Sequence, residues 1–93
     1  MTQTLLNIPT PLRAYVDGKD ELIFEEVNTV QDCLNQLIGQ YPRLKQHLLE
    51  DNGELRKFVN IYMKDEDIRH LKGLQTEVLP DSELSIVPSI AGG

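Results

Sequence analysis

The segment from Thr29 to Pro42 constrains this 93-residue chain more than any other, because its apolar residues fit one face of a helix. Val30, Cys33, Leu34, Leu37, Ile38 and Tyr41 fall at i, i+3, i+4, i+7, i+8 and i+11, the spacing of a continuous stripe on a 3.6-residue helix. Thr29, with Asp32 three residues later, makes a capping-box-like start. Pro42 stops the helix, since proline has no N–H to donate. A short second helix is expected from Arg43 to Glu50, burying Leu44 and Leu48, before the turn Asp51-Asn52-Gly53. A helix with one apolar stripe has to bury it against another layer.

The rest of the chain supplies strands for that layer. Thr4 to Ile8 is short and apolar, with Leu6 and Ile8 on one side, and Pro9-Thr10-Pro11 ends it. Asp17-Gly18-Lys19-Asp20 reads as a turn. Glu21 to Val27 returns as a strand with Leu22, Ile23, Phe24 and Val27 as apolar members. Its in/out phase stays open, and so does a bulge. Arg56 to Met63 sends Val59, Ile61 and Met63 one way and Phe58, Asn60 and Tyr62 the other. Lys64-Asp65-Glu66-Asp67 is a polar turn, Ile68-Arg69 a short strand, and His70 to Leu79 is irregular around Gly73. Pro80-Asp81-Ser82 turns the chain into a last strand, Glu83 to Pro88, with Leu84 and Ile86 inward and Ser85 and Val87 outward.

This order predicts an α+β domain, a mixed sheet with one main helix across one face and a short second helix. The last strand is expected in the centre, parallel to the first, which is the β-grasp arrangement. Residues 1–93 form one domain on this reading, with 89–93 a flexible C-terminal tail. At this size about two thirds of the unfolded surface can be buried, enough for one core without metals or disulfides.

Fifteen acidic against nine basic residues give a net charge of −6. That excludes the basic footprint a nucleic-acid binder needs and disfavours an anionic membrane surface, while suiting a basic protein partner. The N-terminal residues carry no basic region and no apolar run of signal-peptide length, and no segment could span a bilayer, so a cytoplasmic protein is expected. The single cysteine, Cys33, has no partner for an internal disulfide. It could be a sulfur-relay nucleophile, but between Val30 and Leu34 it reads as buried packing. His47 and His70, with Asp65, Glu66 and Asp67, lack any metal-ligand spacing, so no metal is expected. Arg69 beside that acidic turn is expected to make a surface ion pair worth less than about 1 kcal/mol. No Gly-rich phosphate loop, nucleophile elbow or supported carboxylate pair is present.

The chain closes on Ile90-Ala91-Gly92-Gly93. Glycine lacks Cβ, so another protein's walls can approach this backbone closely. The α-carboxylate then stands at the tip of a thin arm, the shape needed to enter a narrow active site. The competing reading is a frayed end. Following a central strand, the arm becomes a presented one. Phe58, Tyr62 and Val87 fall on the sheet face opposite the helix, where they either mark a protein contact or lie under loops. Together with Pro88 and Ile90 they are the expected partner-binding residues.

Three stretches carry a family resemblance across the whole chain. They are Ile8-Pro9-Thr10 with Leu12-Arg13, Phe58-Val59-Asn60-Ile61-Tyr62 with Asp65-Glu66-Asp67-Ile68-Arg69, and Ile86-Val87-Pro88 with Ile90-Ala91-Gly92-Gly93. In these the chain resembles the MoaD/ThiS family of ubiquitin-like sulfur carriers, and within it the carriers of a cysteine-biosynthesis route. One departure is Pro80-Asp81-Ser82, where the family often has Asp-Gly-Asp.

The resemblance implies a protein cosubstrate, not itself an enzyme and binding no cofactor of its own. An E1-like enzyme would adenylate the Gly93 carboxylate with ATP, and a sulfur donor would then displace AMP to leave a thiocarboxylate. Gly92 and Ala91 would provide clearance for the tail. The implied acceptor is a pyridoxal-phosphate cysteine synthase, with a zinc metalloprotease releasing cysteine, or else a molybdopterin synthase large subunit or a thiamine-pathway enzyme. A ubiquitin-like modifier or interaction module is the alternative.

Overall fold

The first two strands form a hairpin whose second strand lies at one edge of the sheet. In the structure, a computed structural model describing residues 3–88, β1 (Gln3–Asn7) pairs antiparallel with β2 (Glu21–Glu25). Their register runs unbroken from Gln3 opposite Glu25 to Asn7 opposite Glu21, so no bulge interrupts it. Leu22 and Phe24 are buried and Ile23 is exposed, which settles the phase that three consecutive apolar residues had hidden. β2 ends at Glu25. Glu26 follows with φ 58°, in the left-handed region, and Val27 is buried beyond the strand.

Residues 10–16, unassigned in the sequence reading, form a 3-10 helix, Thr10–Val16, with proline in its first turn. Leu12 and Val16 are buried, so this segment closes one end of the core.

α1 (Val30–Gln40) begins on a complete capping box. The Asp32 N–H donates to Thr29 Oγ1 at 3.2 Å, and the Thr29 N–H donates to Asp32 Oδ2 at 3.1 Å. Val30, Cys33, Leu34 and Leu37 are buried, with Ile38 and Tyr41 packed at the margin of the core. The Val30 N–H, which has no partner inside the helix, donates to Thr76 O at 3.0 Å. After a 3-10 turn at Pro42–Leu44, α2 (Lys45–Leu48) buries Leu48 beside Leu44, within the range expected for the short helix.

β3 (Val59–Met63), β4 (Glu66–Asp67) and β5 (Glu83–Pro88) complete a five-stranded sheet in the order β2-β1-β5-β3-β4. β5 runs parallel to β1 and antiparallel to β3, the central placement expected. One short strand is misplaced in the sequence reading. Ile68–Arg69 is not a strand: β4 is Glu66–Asp67, and Ile68–His70 is a 3-10 turn. The cause is local, since the Asp67 carboxylate accepts the Arg69 N–H at 2.9 Å and turns the chain out of the ladder. Leu6, Phe24, Ile61, Leu84 and Ile86 face α1 across one apolar core. No helix among the described residues is long and apolar enough to cross a membrane.

Candidate functional site: the end of the central strand

β5 is held from both sides, and this fixes where the chain end departs. Leu6 lies opposite Leu84 on one flank. On the other flank Val59 to Met63 lie opposite Pro88 to Leu84. The β1 pairing stops at Asn7 opposite Ser85, so Ile86, Val87 and Pro88 run on beside β3 alone. The expected tail residues Ile90, Ala91, Gly92 and Gly93 lie outside the described residues.

Three of the expected partner-binding residues, Phe58, Val87 and Pro88, lie at this exit, and Tyr62 lies farther back along β3. Val87 is 43% exposed and lies opposite Asn60 on the open face. Phe58, immediately before β3, is 52% exposed. Tyr62 is half-buried between Ser85 and Asp67 of the flanking strands, and Pro88 is half-buried opposite Val59. The open face therefore carries apolar side chains at the exit, where a one-sided sheet is ordinarily polar. Beyond them runs a polar row in which Asn7 Nδ2 donates to Ser85 Oγ at 3.1 Å and to Glu83 Oε2.

Arg69 holds this end together in a way the sequence did not signal. Its guanidinium does not pair with the acidic turn. Nη2 donates to Arg56 O and Val59 O, both at 2.8 Å, and Nη1 donates to Asn60 Oδ1. Only its backbone N–H meets Asp67. Arg69 thus ties the chain on either side of Phe58 to the 3-10 turn after β4. The planar fork suits this task, because it reaches several acceptors at once.

The remaining candidates do not converge on the exit. Cys33 is fully buried, and burial pushes its thiol up from 9.0 to about 12, so it stays protonated and unreactive at neutral pH. His47 packs against the Tyr15 ring, with centroids 4.5 Å apart, and His70 lies on the exposed turn after Arg69. Among the described residues no group of three His, Cys, Asp or Glu could hold a metal. A surface groove of about 490 Å³ lies between Pro42, Lys45, Glu50 and Arg56.

A five-stranded mixed sheet crossed by one capped helix, with the chain leaving from its central strand, defines the ubiquitin-like β-grasp class. A family model described as the ThiS family matches residues 6–93, and the chain belongs to that family. It is 32% identical over 90 residues to the sulfur carrier protein CysO of Mycobacterium tuberculosis, covering 95% of this chain and 96% of the relative. It is 35% identical over 65 residues to small archaeal modifier protein 3 of Haloferax volcanii, covering 70% of each. Among solved structures, a chain of the BexX/CysO complex of Amycolatopsis orientalis superposes with TM-score 0.86 at 31% identity, over 97% of this chain and 99% of that one.

Proposed function

We propose that this protein carries sulfur as a C-terminal thiocarboxylate on Gly93 and delivers it to a biosynthetic acceptor, in the first instance for cysteine. The observation that carries the reading is the likeness to CysO over 95% of the chain, with a family match that runs through Gly93. A carboxylate is a poor electrophile, because its charge is delocalised and oxide leaves badly. An E1-like partner would join the Gly93 carboxylate to the α-phosphorus of ATP, releasing pyrophosphate. Sulfide sulfur would then attack the acyl carbon and expel AMP, leaving C(=O)S⁻. The product is anionic yet soft and nucleophilic, and attachment to the domain keeps the sulfur from being lost.

ATP belongs to the activating partner on this reading, and pyridoxal phosphate to a cysteine-synthase acceptor. A zinc metalloprotease would release the finished cysteine. Gly92 and Ala91 give the arm its clearance, while Phe58, Tyr62, Val87, Pro88 and Ile90 form the handle that partners hold. A cytoplasmic setting fits the lone unpaired cysteine.

The likeness to small archaeal modifier protein 3 supports a second reading, in which the glycine end is joined to lysines as an isopeptide. Intact-mass measurement after incubation with an E1-like enzyme, ATP and sulfide separates the two. The carrier gains sulfur in place of one oxygen, and the gain disappears when Gly93 is deleted. An unshifted mass, or lysine adducts alone, overturns the carrier reading.

A further inference from the structure

The opposite corner of the open face carries a second feature that the Gly93 chemistry does not use. β2 is an outer strand, and its free edge can be assigned from the bonds of β1. The Leu5 N–H donates to Ser82 O at 3.0 Å, and Gln3 O accepts the Asp81 N–H at 3.0 Å. Odd-numbered residues of β1 therefore turn their backbone groups towards β5. Even-numbered Thr4 and Leu6 turn theirs towards Phe24 and Leu22 of β2. The backbone groups of Glu21, Ile23 and Glu25 consequently point away from the sheet. Glu25 O takes the Gln36 side chain at 3.1 Å, which closes that end of the edge.

The side chains of the same three residues stand on the open face. Glu21 and Glu25 are exposed, and Ile23 between them is 60% exposed. Ile23 lies beside half-buried Leu5, in a groove of about 260 Å³ that Gln3, Asp81 and Ser82 complete. Residues 17–26 hold five acids, Asp17, Asp20, Glu21, Glu25 and Glu26, against one base, Lys19.

An exposed apolar edge strand is a template for another strand, and its charges decide which one. A second copy is disfavoured. Antiparallel pairing centred on Ile23 would set Glu21 opposite Glu25 of the other copy twice, and like charges directly opposite destabilise a pair. A basic strand turns both contacts into attractions.

We propose that the β2 edge accepts, by strand addition, an extended segment of a partner protein that presents an apolar side chain opposite Ile23 with Lys or Arg two residues to either side. β1 lies between this edge and β5, and Ile23 is level with Glu83 at the start of β5 while Val87 stands near its end, so a partner here leaves the chain end free. The inference stands on the edge geometry and does not depend on the chemistry at Gly93.

Amide shifts of the ¹⁵N-labelled full chain test it, using an acetylated, amidated peptide Gly-Ser-Lys-Thr-Val-Thr-Lys-Ser-Gly. The expected result is a saturable shift centred on Glu21, Ile23 and Glu25. The same peptide with glutamates for its lysines should bind about tenfold or more weakly. In the double variant Glu21→Lys with Glu25→Lys that preference should invert. Ile23→Pro removes an outward-facing N–H at an edge position where proline is tolerated, and should abolish the shift. If that variant fails to fold, the inverted charge preference decides alone. Shifts that map to Phe58 and Val87, equal binding of the two peptides, or no shift up to the peptide's solubility limit would overturn the proposal.

Discussion

Asp81 has φ 60° in the turn Pro80-Asp81-Ser82 that leads into β5. This is the left-handed region, which aspartate tolerates better than most residues and glycine best. A left-handed aspartate thus stands in the turn that feeds the central strand. The proline was legible as a turn residue, but the backbone sign at Asp81 was not. Cys33 is the reverse case, read correctly as core because helical periodicity placed it between Val30 and Leu34. Its burial has a pH consequence. The unfolded thiol ionises near 9.0 and the folded one only near 12. Between those values the unfolded state has released a proton that the folded state retains. The stability contribution is therefore complete below 9.0 and declines as the pH rises towards 12. Cys33→Ala should cost about 1 kcal/mol at neutral pH through lost packing and remove this alkaline slope. Urea unfolding of both proteins, at neutral pH and midway between the two thiol values, checks it. An equal alkaline loss in the two would show that Cys33 contributes nothing there.

Elements that carry their own start and stop signals were legible, and those set by a single side-chain hydrogen bond or by too short a periodic run were not. α1 carries its own start signal in Thr29 and Asp32 and its own stop in Pro42, and both act as read. The 3-10 helix at Thr10–Val16 left a fainter trace: Leu12 and Val16 share the i, i+4 spacing, but the segment is too short for periodicity to stand out. The exchange of strand and turn at residues 66–70 depends on one carboxylate capturing one N–H, a choice that alternating polarity does not encode. Arg69 follows from that turn. Its guanidinium reaches Arg56 O and Val59 O because the 3-10 geometry aims it there. A lysine ammonium is a point donor and cannot span the same acceptors. Arg69→Lys should therefore cost about 1 kcal/mol. It should also speed hydrogen exchange of the Val59 amide, which donates to Arg56 O at 3.1 Å. Exchange at the α1 amides should change only by the global loss. Uniform acceleration across the chain would mean that Arg69 adds general stability and does not position Phe58.

Across the whole molecule, the open face is divided into two corners of different character. Phe58 and Val87 stand at the exit of β5, and Ile23 with its flanking glutamates stands at the β2 edge, with the polar row of Asn7 and Ser85 between them. Strand alternation pointed to the first corner, because it placed Phe58 and Val87 on the face opposite the helix. The second was hidden, since the run Leu22-Ile23-Phe24 looks apolar throughout until the register with β1 sets its phase. Two exposed apolar side chains beside the exit would have to be covered if a partner grips the domain while handling Gly93. A charge at either position would then be buried on docking, at a cost far above that of the exposed free chain. Phe58→Glu and Val87→Glu should each weaken binding of an E1-like partner at least tenfold, about 1.4 kcal/mol. Thermal midpoints should stay near that of the unaltered chain, because both residues already face solvent. Tyr62→Glu is a less clean probe, since Tyr62 lies opposite Asp67 and the new carboxylate would meet a like charge within the sheet. Tyr62→Gln avoids that repulsion while still putting a polar group in place of the ring. Calorimetric titration of the three variants against the partner distinguishes the outcomes. Unaltered affinity in all three would place the handle away from the strand exit, and loss only in Tyr62→Gln would shift it towards β4.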